Sequence, residues 1–259
     1  MGTTLTFNPE FDAAIIEKAL EQDPERYGAE YLCTWRDDLS TFIIRDLLDA
    51  AVDKGVIVRP PAEGIRYFVG GDASGGRNDA FTSAVAHRES DGTIVLDAIL
   101  ERKAPFNPTD VVGEIVALMR QYRCQEITGD NYAAGWVAEA FGKAGVRYIK
   151  SDRDRSGVYL DMLPLLTSGR ARLLDHQRLV AQLVGLERRT ARGGRDSIDH
   201  APGAHDDVAN AVAGALTSVA SCNTFAFTPE MAAQIAAWPK NRGGFPYSRE
   251  KYPFTWNPS

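Results

Sequence analysis

An α/β fold built on a mixed sheet, with a helical segment ahead of it, is predicted by three observations. Residues 65–102 read as three strands joined by short turns, and residues 108–220 alternate helical and strand-like runs. Residues 1–60 are polar and helical in period, and Pro60-Pro61-Ala62-Glu63-Gly64 closes them off. Strands joined by short turns pair antiparallel by default, whereas strands joined through helices run parallel, so one sheet holding both kinds is mixed.

Taken in order, Asn8-Pro9-Glu10 predicts a helix running through Ala19, and Asp23-Pro24-Glu25 predicts the start of another, because proline fits a first helical turn. Residues 41–53 carry Phe42, Ile43, Leu47, Leu48 and Val52 near helical spacing. Residues 1–60 are therefore read as a helical linker region packed on the domain that begins after it. Strands are expected at 65–71, 80–87 and 93–102, with Ser90-Asp91-Gly92 turning the chain between the last two. Pro108 opens a helix with apolar Val111, Val112, Ile115, Val116, Leu118 and Met119. A strand at 126–129, a helix at 133–143 and a strand at 146–150 come next, then a helix at 158–167, a short strand at 171–174 and a helix at 177–185. Residues 186–191 and 196–200 flank Arg192-Gly193-Gly194-Arg195, a hairpin signature, and 206–220 form the last helix. The principal domain is then 61–222, a mixed five-stranded sheet flanked by helices, with 223–259 a Pro- and aromatic-rich tail.

Composition narrows the class. A chain of 259 residues with 44% apolar and 25% charged content buries a sizeable core, which excludes a disordered chain. No stretch approaches the roughly 20 apolar residues of a membrane span. The N-terminus, MGTTLTFNPE, has neither the basic flank nor the apolar core of a signal peptide, and its Met-Gly start is a poor myristoylation signal. Cys33, Cys124 and Cys222 are odd in number and form no CxxC, which argues against disulfides and thiolate zinc and for a reducing compartment. Net charge is −6, yet residues 143–195 hold twelve Lys/Arg against five Asp/Glu. Such asymmetry fits one polyanion-facing surface on an acidic body, the bland alternative being a solvated arginine-rich face. Lys150, Arg155, Arg188, Arg189, Arg192 and Arg195 are the candidates for contact with a phosphate backbone.

Three acidic clusters carry the chemistry. Asp72 ends the strand-like run YFVGGD, Asp130 ends QEITGD, and Asp206-Asp207 open the final alanine-rich helix after Ala201-Pro202-Gly203. Gly70-Gly71 let backbone approach a ligand closely. If the two strands are neighbours and the helix crosses them, the carboxylates converge, and converging carboxylates need cations. Hard oxygen ligands suit Mg²⁺ or Mn²⁺, and two such ions clamp a phosphodiester for in-line hydrolysis. Asp207 shares a helix face with Asn210, Ala211 and Gly214, whereas Asp206 is rotated from that face by about 100°. Small Ala211 and Gly214 let the helix lie close to the sheet. The bland readings are a turn-stabilising Asp72, a helix-capping Asp130 and two acids favoured by a helix dipole. Asp79 is read as a loop cap in preference to a supporting acid, and His205 as a loop histidine.

Rival chemistries find less support. The phosphate loop of actin-like kinases starts with a similar Asp and Gly run, but it needs a second loop in a duplicated domain, and none is found. Gly142-Lys143 lacks the earlier Gly and following Ser/Thr of a P-loop, since Val137 and Ala144 stand there. The histidines His87, His176, His200 and His205 have no nucleophile elbow to serve.

The strand order is that of the ribonuclease H-like fold, in which strands one and four are neighbours and bring Asp72 and Asp130 together. More closely, the stretches NPEFDAAIIEKALEQDPERYGAEYLCTW, YFVGGDASGGRNDAFTSAV, EITGDNY, LLTSGRARLLDHQRLVAQL and IDHAPGAHDDVANAVAGA together resemble the C-terminal nuclease half of tailed-phage large terminase subunits with its upstream linker. The resemblance implies a metal-dependent endonuclease that cuts concatemeric viral DNA at packaging, in the cytoplasm of the infected bacterial host. It implies metal ligation by Asp72, Asp130 and Asp207, with Asp206 in question. It also implies partners: double-stranded DNA, a portal protein, a small terminase subunit and a terminase ATPase domain. The ATPase half is missing from this chain, which is thus expected to be a nuclease-domain fragment or one part of a split subunit. A junction resolvase or transposase-type nuclease of the same fold, and a non-catalytic docking module, stay open as alternatives.

Overall fold

The computed structural model describes residues 2–34, 39–74, 79–130, 134–190, 196–201 and 203–222. Met1–Cys222 form one compact unit. Its first part runs α1 Thr4–Phe7, α2 Ala13–Gln22, α3 Pro24–Leu32, β1 Leu39–Thr41, α4 Arg45–Ala51 and β2 Val52–Asp53. Then come β3 Tyr67–Asp72, β4 Phe81–Arg88, β5 Ile94–Arg102, α5 Pro108–Gln121, β6 Glu126–Gly129, α6 Ala134–Lys143 and β7 Arg147–Lys150. The last part is α7 Arg155–Thr167, β8 Ala171–Leu174, α8 Gln177–Val184, β9 Leu186–Thr190, β10 Asp196–His200 and α9 Asp207–Ser221.

Strands β3 to β7, the five expected, stand side by side up to one edge of the main sheet, whose order is β2-β8-β5-β4-β3-β6-β7. β3, β4 and β5 are antiparallel, β6 and β7 run parallel to β3, and the sheet reaches seven strands because β8 and β2 extend it parallel to β5. β8 is the short strand expected at 171–174; its place beside β5 and that of β2 beside it come from pairing across long sequence distances, which local periodicity does not report. Residues 1–60 also hold more than helices. β1 joins β9 and β10 in a second, antiparallel sheet. The helix expected over 41–53 shrinks to α4 because the Phe42 N–H donates to Leu186 O at 3.0 Å, committing that residue to the hairpin side. The first expected helix starts at Ala13, where the Asp12 carboxylate caps the Ala14 amide, and not at Asn8-Pro9.

Each face of the sheet carries one apolar cluster. Leu96, Leu173, Tyr159, Leu183 and Val212 belong to the first, under α7, α8 and α9, and α4 adds Leu48 to it. Val112, Ile115, Met119, Ile127 and Phe141 form the second, under α5 and α6. Each such side chain stabilises the fold by about 1.5–3 kcal/mol on burial. α9 lies almost on the backbone of β3. A Cβ at Gly70 would stand 2.3 Å from Ala211 O and 2.4 Å from Ala215 N, so only glycine permits this approach. Gly70 therefore serves helix packing and not a ligand, while a Cβ at Gly71 would meet the Ile127 side chain.

Candidate metal centre

Parallel pairing sets the first two acids. Gly71 registers with Gly129, so Asp72, the last residue of β3, and Asp130, just past β6, leave the same end of the sheet. Tyr148 on β7 pins the second by donating its hydroxyl to Asp130 O at 2.9 Å. α9, seated on Gly70, brings Asp206 and Asp207 to that end. Burial pushes the Asp72 carboxyl up to about 8, and the negative charges of Asp207, Asp130 and Asp206, in that order, add to it, against a hydrogen bond from Asn210. Asp72 keeps some exposed surface, but protein atoms crowd it enough that, without cations, it holds a proton at neutral pH. Burial also raises Asp207, followed by Asp79 and Asp206, while His205 and Arg178 oppose the rise.

The adjacent acids part ways. Asp206 is buried, and Tyr159 donates to its Oδ2 at 2.9 Å while Arg155 Nη1 lies 3.2 Å from Oδ1. Both of its oxygens are thus engaged by α7. Asp207 Oδ2 is buried without a hydrogen-bond partner among the described residues, and the Arg178 guanidinium stands 3.8 Å away. Asp207 further groups with Asp79 and His205, with one ligand atom from each within 4.8 Å of the others. The expectation of Asp79 as a loop cap gives way here: its side chain faces His205 Nδ1 at 3.7 Å, and its backbone oxygen is tied into the loop by Ser74 Oγ at 2.7 Å. Among the described residues this trio of Asp79, His205 and Asp207 is the one group of potential ligands so close together, and Asp72 and Asp130 are not in it. The orphaned Asp207 oxygen and the hard oxygens of Asp207 and Asp79 fit a divalent cation such as Mg²⁺ or Mn²⁺.

The basic residues fare differently. Arg188 does not meet the expectation of a phosphate contact, since its side chain is 1% exposed, clamped bidentately by Asp23 at 2.7 and 2.9 Å, and set over the Phe42 ring. It joins the turn between α2 and α3 to β9 and is withdrawn from solvent, because a buried guanidinium needs fixed acceptors. Arg155 is half-exposed but bound to Asp199 and Asp206. Arg189 is exposed beside Glu187, and Lys150 is exposed at the end of β7. Arg192 and Arg195 lie outside the described residues, as does the tail 223–259.

A groove of about 880 Å³ is lined by Asp130 but by none of Asp72, Asp206 and Asp207; residues of β3, β6 and β7 line it together with Asn210, Gly214, Thr217 and Ser218 of α9. Arg66, Arg123, Lys150 and Arg153 are among its lining residues. Tyr159, Arg178, Asn210 and Gln182 touch the acids or the backbone that carries them, a role that sequence reasoning missed. Their one signal is polarity beside apolar neighbours on a helix.

Sheet order and site together define the class, a ribonuclease H-like α/β fold with acids at the ends of the first and fourth core strands and at the start of the closing helix. No protein-family model matches the chain, and no curated protein matches it in sequence. Solved structures do match. The large terminase nuclease from thermophilic phage G20c with bound magnesium superposes with a TM-score of 0.55 and 17% identity over 66% of this chain and 94% of that one. The large terminase nuclease domain of Thermus phage P74-26 gives 0.55 and 17% over 66% and 92%. The large terminase of bacteriophage HK97 gives 0.56 and 15% over 78% of this chain and 49% of that one. The chain therefore has the fold of phage large-terminase nuclease domains, and it matches about half the length of the HK97 protein. No helix among the described residues is long and apolar enough to cross a membrane.

Proposed function

We propose that this chain is a metal-dependent endonuclease for double-stranded DNA, the nuclease part of a terminase large subunit that cuts viral concatemers at packaging. The observation that carries the proposal is that Asp72 and Asp130 leave neighbouring parallel strands at one end of the sheet, where α9 brings the unpartnered Asp207 Oδ2 and where the Asp72 carboxyl is pushed up to about 8. Divalent cations bound there would favour the ionised Asp72 carboxylate against its burial. Asp72, Asp130 and Asp207 would hold two Mg²⁺ or Mn²⁺ ions, with Asp206 and Asp79 as supporting acids. Bound there, the ions supply Lewis acidity toward the scissile phosphate and the attacking water.

The chain's own residues do the rest. Asn210 stands beside Asp72 and favours its carboxylate form, and Tyr148 fixes the Asp130 backbone. Arg155 and Tyr159 hold Asp206. The groove beside α9 would receive one DNA strand, with Lys150, Arg153 and Arg66 toward its phosphates. Arg189, Arg192 and Arg195 of the hairpin would grip the backbone with little base readout. In the host cytoplasm such an enzyme works with a portal, a small terminase subunit and an ATPase domain supplied by the rest of the motor.

Supercoiled plasmid tests this. The parent nicks and linearises it with Mn²⁺ or Mg²⁺ and not with EDTA, and Asp72→Ala and Asp130→Ala abolish cutting while keeping the folded circular-dichroism signature. Cutting by either variant at the parent's rate, or preference for a four-way junction over linear duplex, overturns the proposal.

A further inference from the structure

The first amides of a helix have no partner within it, and a carboxylate at the N-cap ordinarily binds the N2 or N3 amide. In α9 the N-cap is Asp206, the N3 residue is Ala209, and Asp206 makes no side-chain cap bond. Gln182 Oε1 accepts the Ala209 N–H instead, at 2.9 Å in a buried setting. Ala209 is fully buried and Gln182 is 8% exposed, so water does not compete for that amide. Gln182 is the polar member of an otherwise apolar face of α8, beside Leu179 and Leu183. One turn earlier, Arg178 reaches toward Asp207. α8 thus meets the start of α9 twice, while the Asp206 carboxylate turns the other way, to Tyr159 and Arg155.

We infer that Gln182 is a positioning residue for the acid pair. By occupying the N3 amide it keeps Asp206 out of the cap, leaves that carboxylate with α7, and thereby sets the rotation at which Asp207 faces Asp72. With an apolar residue at 182, the buried amide is left to the nearest carboxylate, Asp206 three residues back. Taking it requires Asp206 to leave Tyr159, and the backbone of Asp207 turns with it. The consequence for cation binding rests on the nuclease reading, but the cap exchange itself does not.

A double-mutant cycle on thermal stability in EDTA tests the exchange, using Gln182→Leu, Asp206→Ala and the pair. Asp206 substitutes as the cap only when Gln182 is gone, so the pair loses about 2–4 °C more than the sum of the single losses. Additive losses overturn the inference. Should a branched side chain prove too crowded, Gln182→Met, unbranched and without a strong acceptor, closes the same cycle. Calorimetric titration with Mn²⁺ then separates positioning from mere support. Gln182→Leu weakens binding about tenfold, whereas a loss of melting temperature with unchanged Mn²⁺ affinity refutes the positioning role. If the parent itself binds no Mn²⁺, the cation reading of the acids fails, and the cycle still decides whether Gln182 displaces Asp206 from the cap.

Discussion

At the open end of the main sheet, Asp207, Asp130 and Asp206 each raise the Asp72 carboxyl, and the nearest cation to Asp207 Oδ2 among the described residues stands 3.8 Å off. In the segment 143–195 the opposite holds: Arg147 closes on Glu126, Arg153 on Asp161, Arg172 on Asp53, Arg178 on Glu101 and Arg188 on Asp23. Both regions are concentrations of one charge along the chain, and folding treats them differently. The acids are gathered by strands and a helix whose packing is fixed by other residues, so Asp207, Asp130 and Asp206 go on raising the Asp72 carboxyl. The arginines sit on long flexible stems that find carboxylates from elsewhere, and most of their charge is answered within the protein. A run of charge in sequence is therefore not by itself a surface, because flexible stems can find counter-charge within the fold.

The acid side of this comparison gives the largest expected effect. Asp207→Asn lowers plasmid cleavage at saturating Mn²⁺ by more than about 100-fold, whereas Asp206→Asn, already held by Tyr159 and Arg155, loses about tenfold. Equal losses in matched nicking rates would break the distinction between the two. On the basic side, Arg188→Ala leaves Asp23 buried without its clamp and costs about 3–5 kcal/mol in urea unfolding. The exposed Arg189→Ala costs about 0–1 kcal/mol. Comparable values would show that burial does not separate these neighbours.

Titration sharpens the acid side. The folded pKa of Asp72, about 8, lies above its ordinary value of 3.8, so the folded state binds the proton more tightly. Its contribution is therefore full below about pH 4 and lost as pH rises through 8. In EDTA the melting temperature should fall across that window, and Asp72→Asn should flatten the fall, by about 2–4 °C for each kcal/mol recovered. A parallel slope in the variant sinks this assignment. Gly70→Ala, forcing α9 off β3, should cost about 1–3 kcal/mol and weaken Mn²⁺ binding. Unchanged calorimetric affinity would show that the acids tolerate a displaced helix. The smallest effect belongs to Lys150→Ala, which should make the salt dependence of DNA affinity shallower by up to about 0.9 log units if it meets one phosphate. An unchanged slope moves the DNA path away from the groove.

Much of this architecture was legible along the chain. The three-strand meander, the alternating helices and strands and the Gly-Asp ends at 72 and 130 are local patterns, because alternation, helical spacing and turn residues act over a few neighbours. The small face of α9, Ala211 and Gly214, likewise announced a close helix-sheet contact. What tertiary structure alone decided are the long-range matters. β8 joined the sheet beside β5, 77 residues earlier, and β2 joined beside β8, more than a hundred residues away. Arg188 found Asp23 and left the surface, Asp79 turned to His205, and Gln182 took an amide 27 positions away. None of these is encoded in spacing, since burial and hydrogen-bond competition depend on which distant groups arrive. Local sequence placed the carboxylates at the ends of their elements, and only the packing of α7, α8 and α9 determined that Asp206 was tied down while Asp207 kept an oxygen without a hydrogen-bond partner among the described residues.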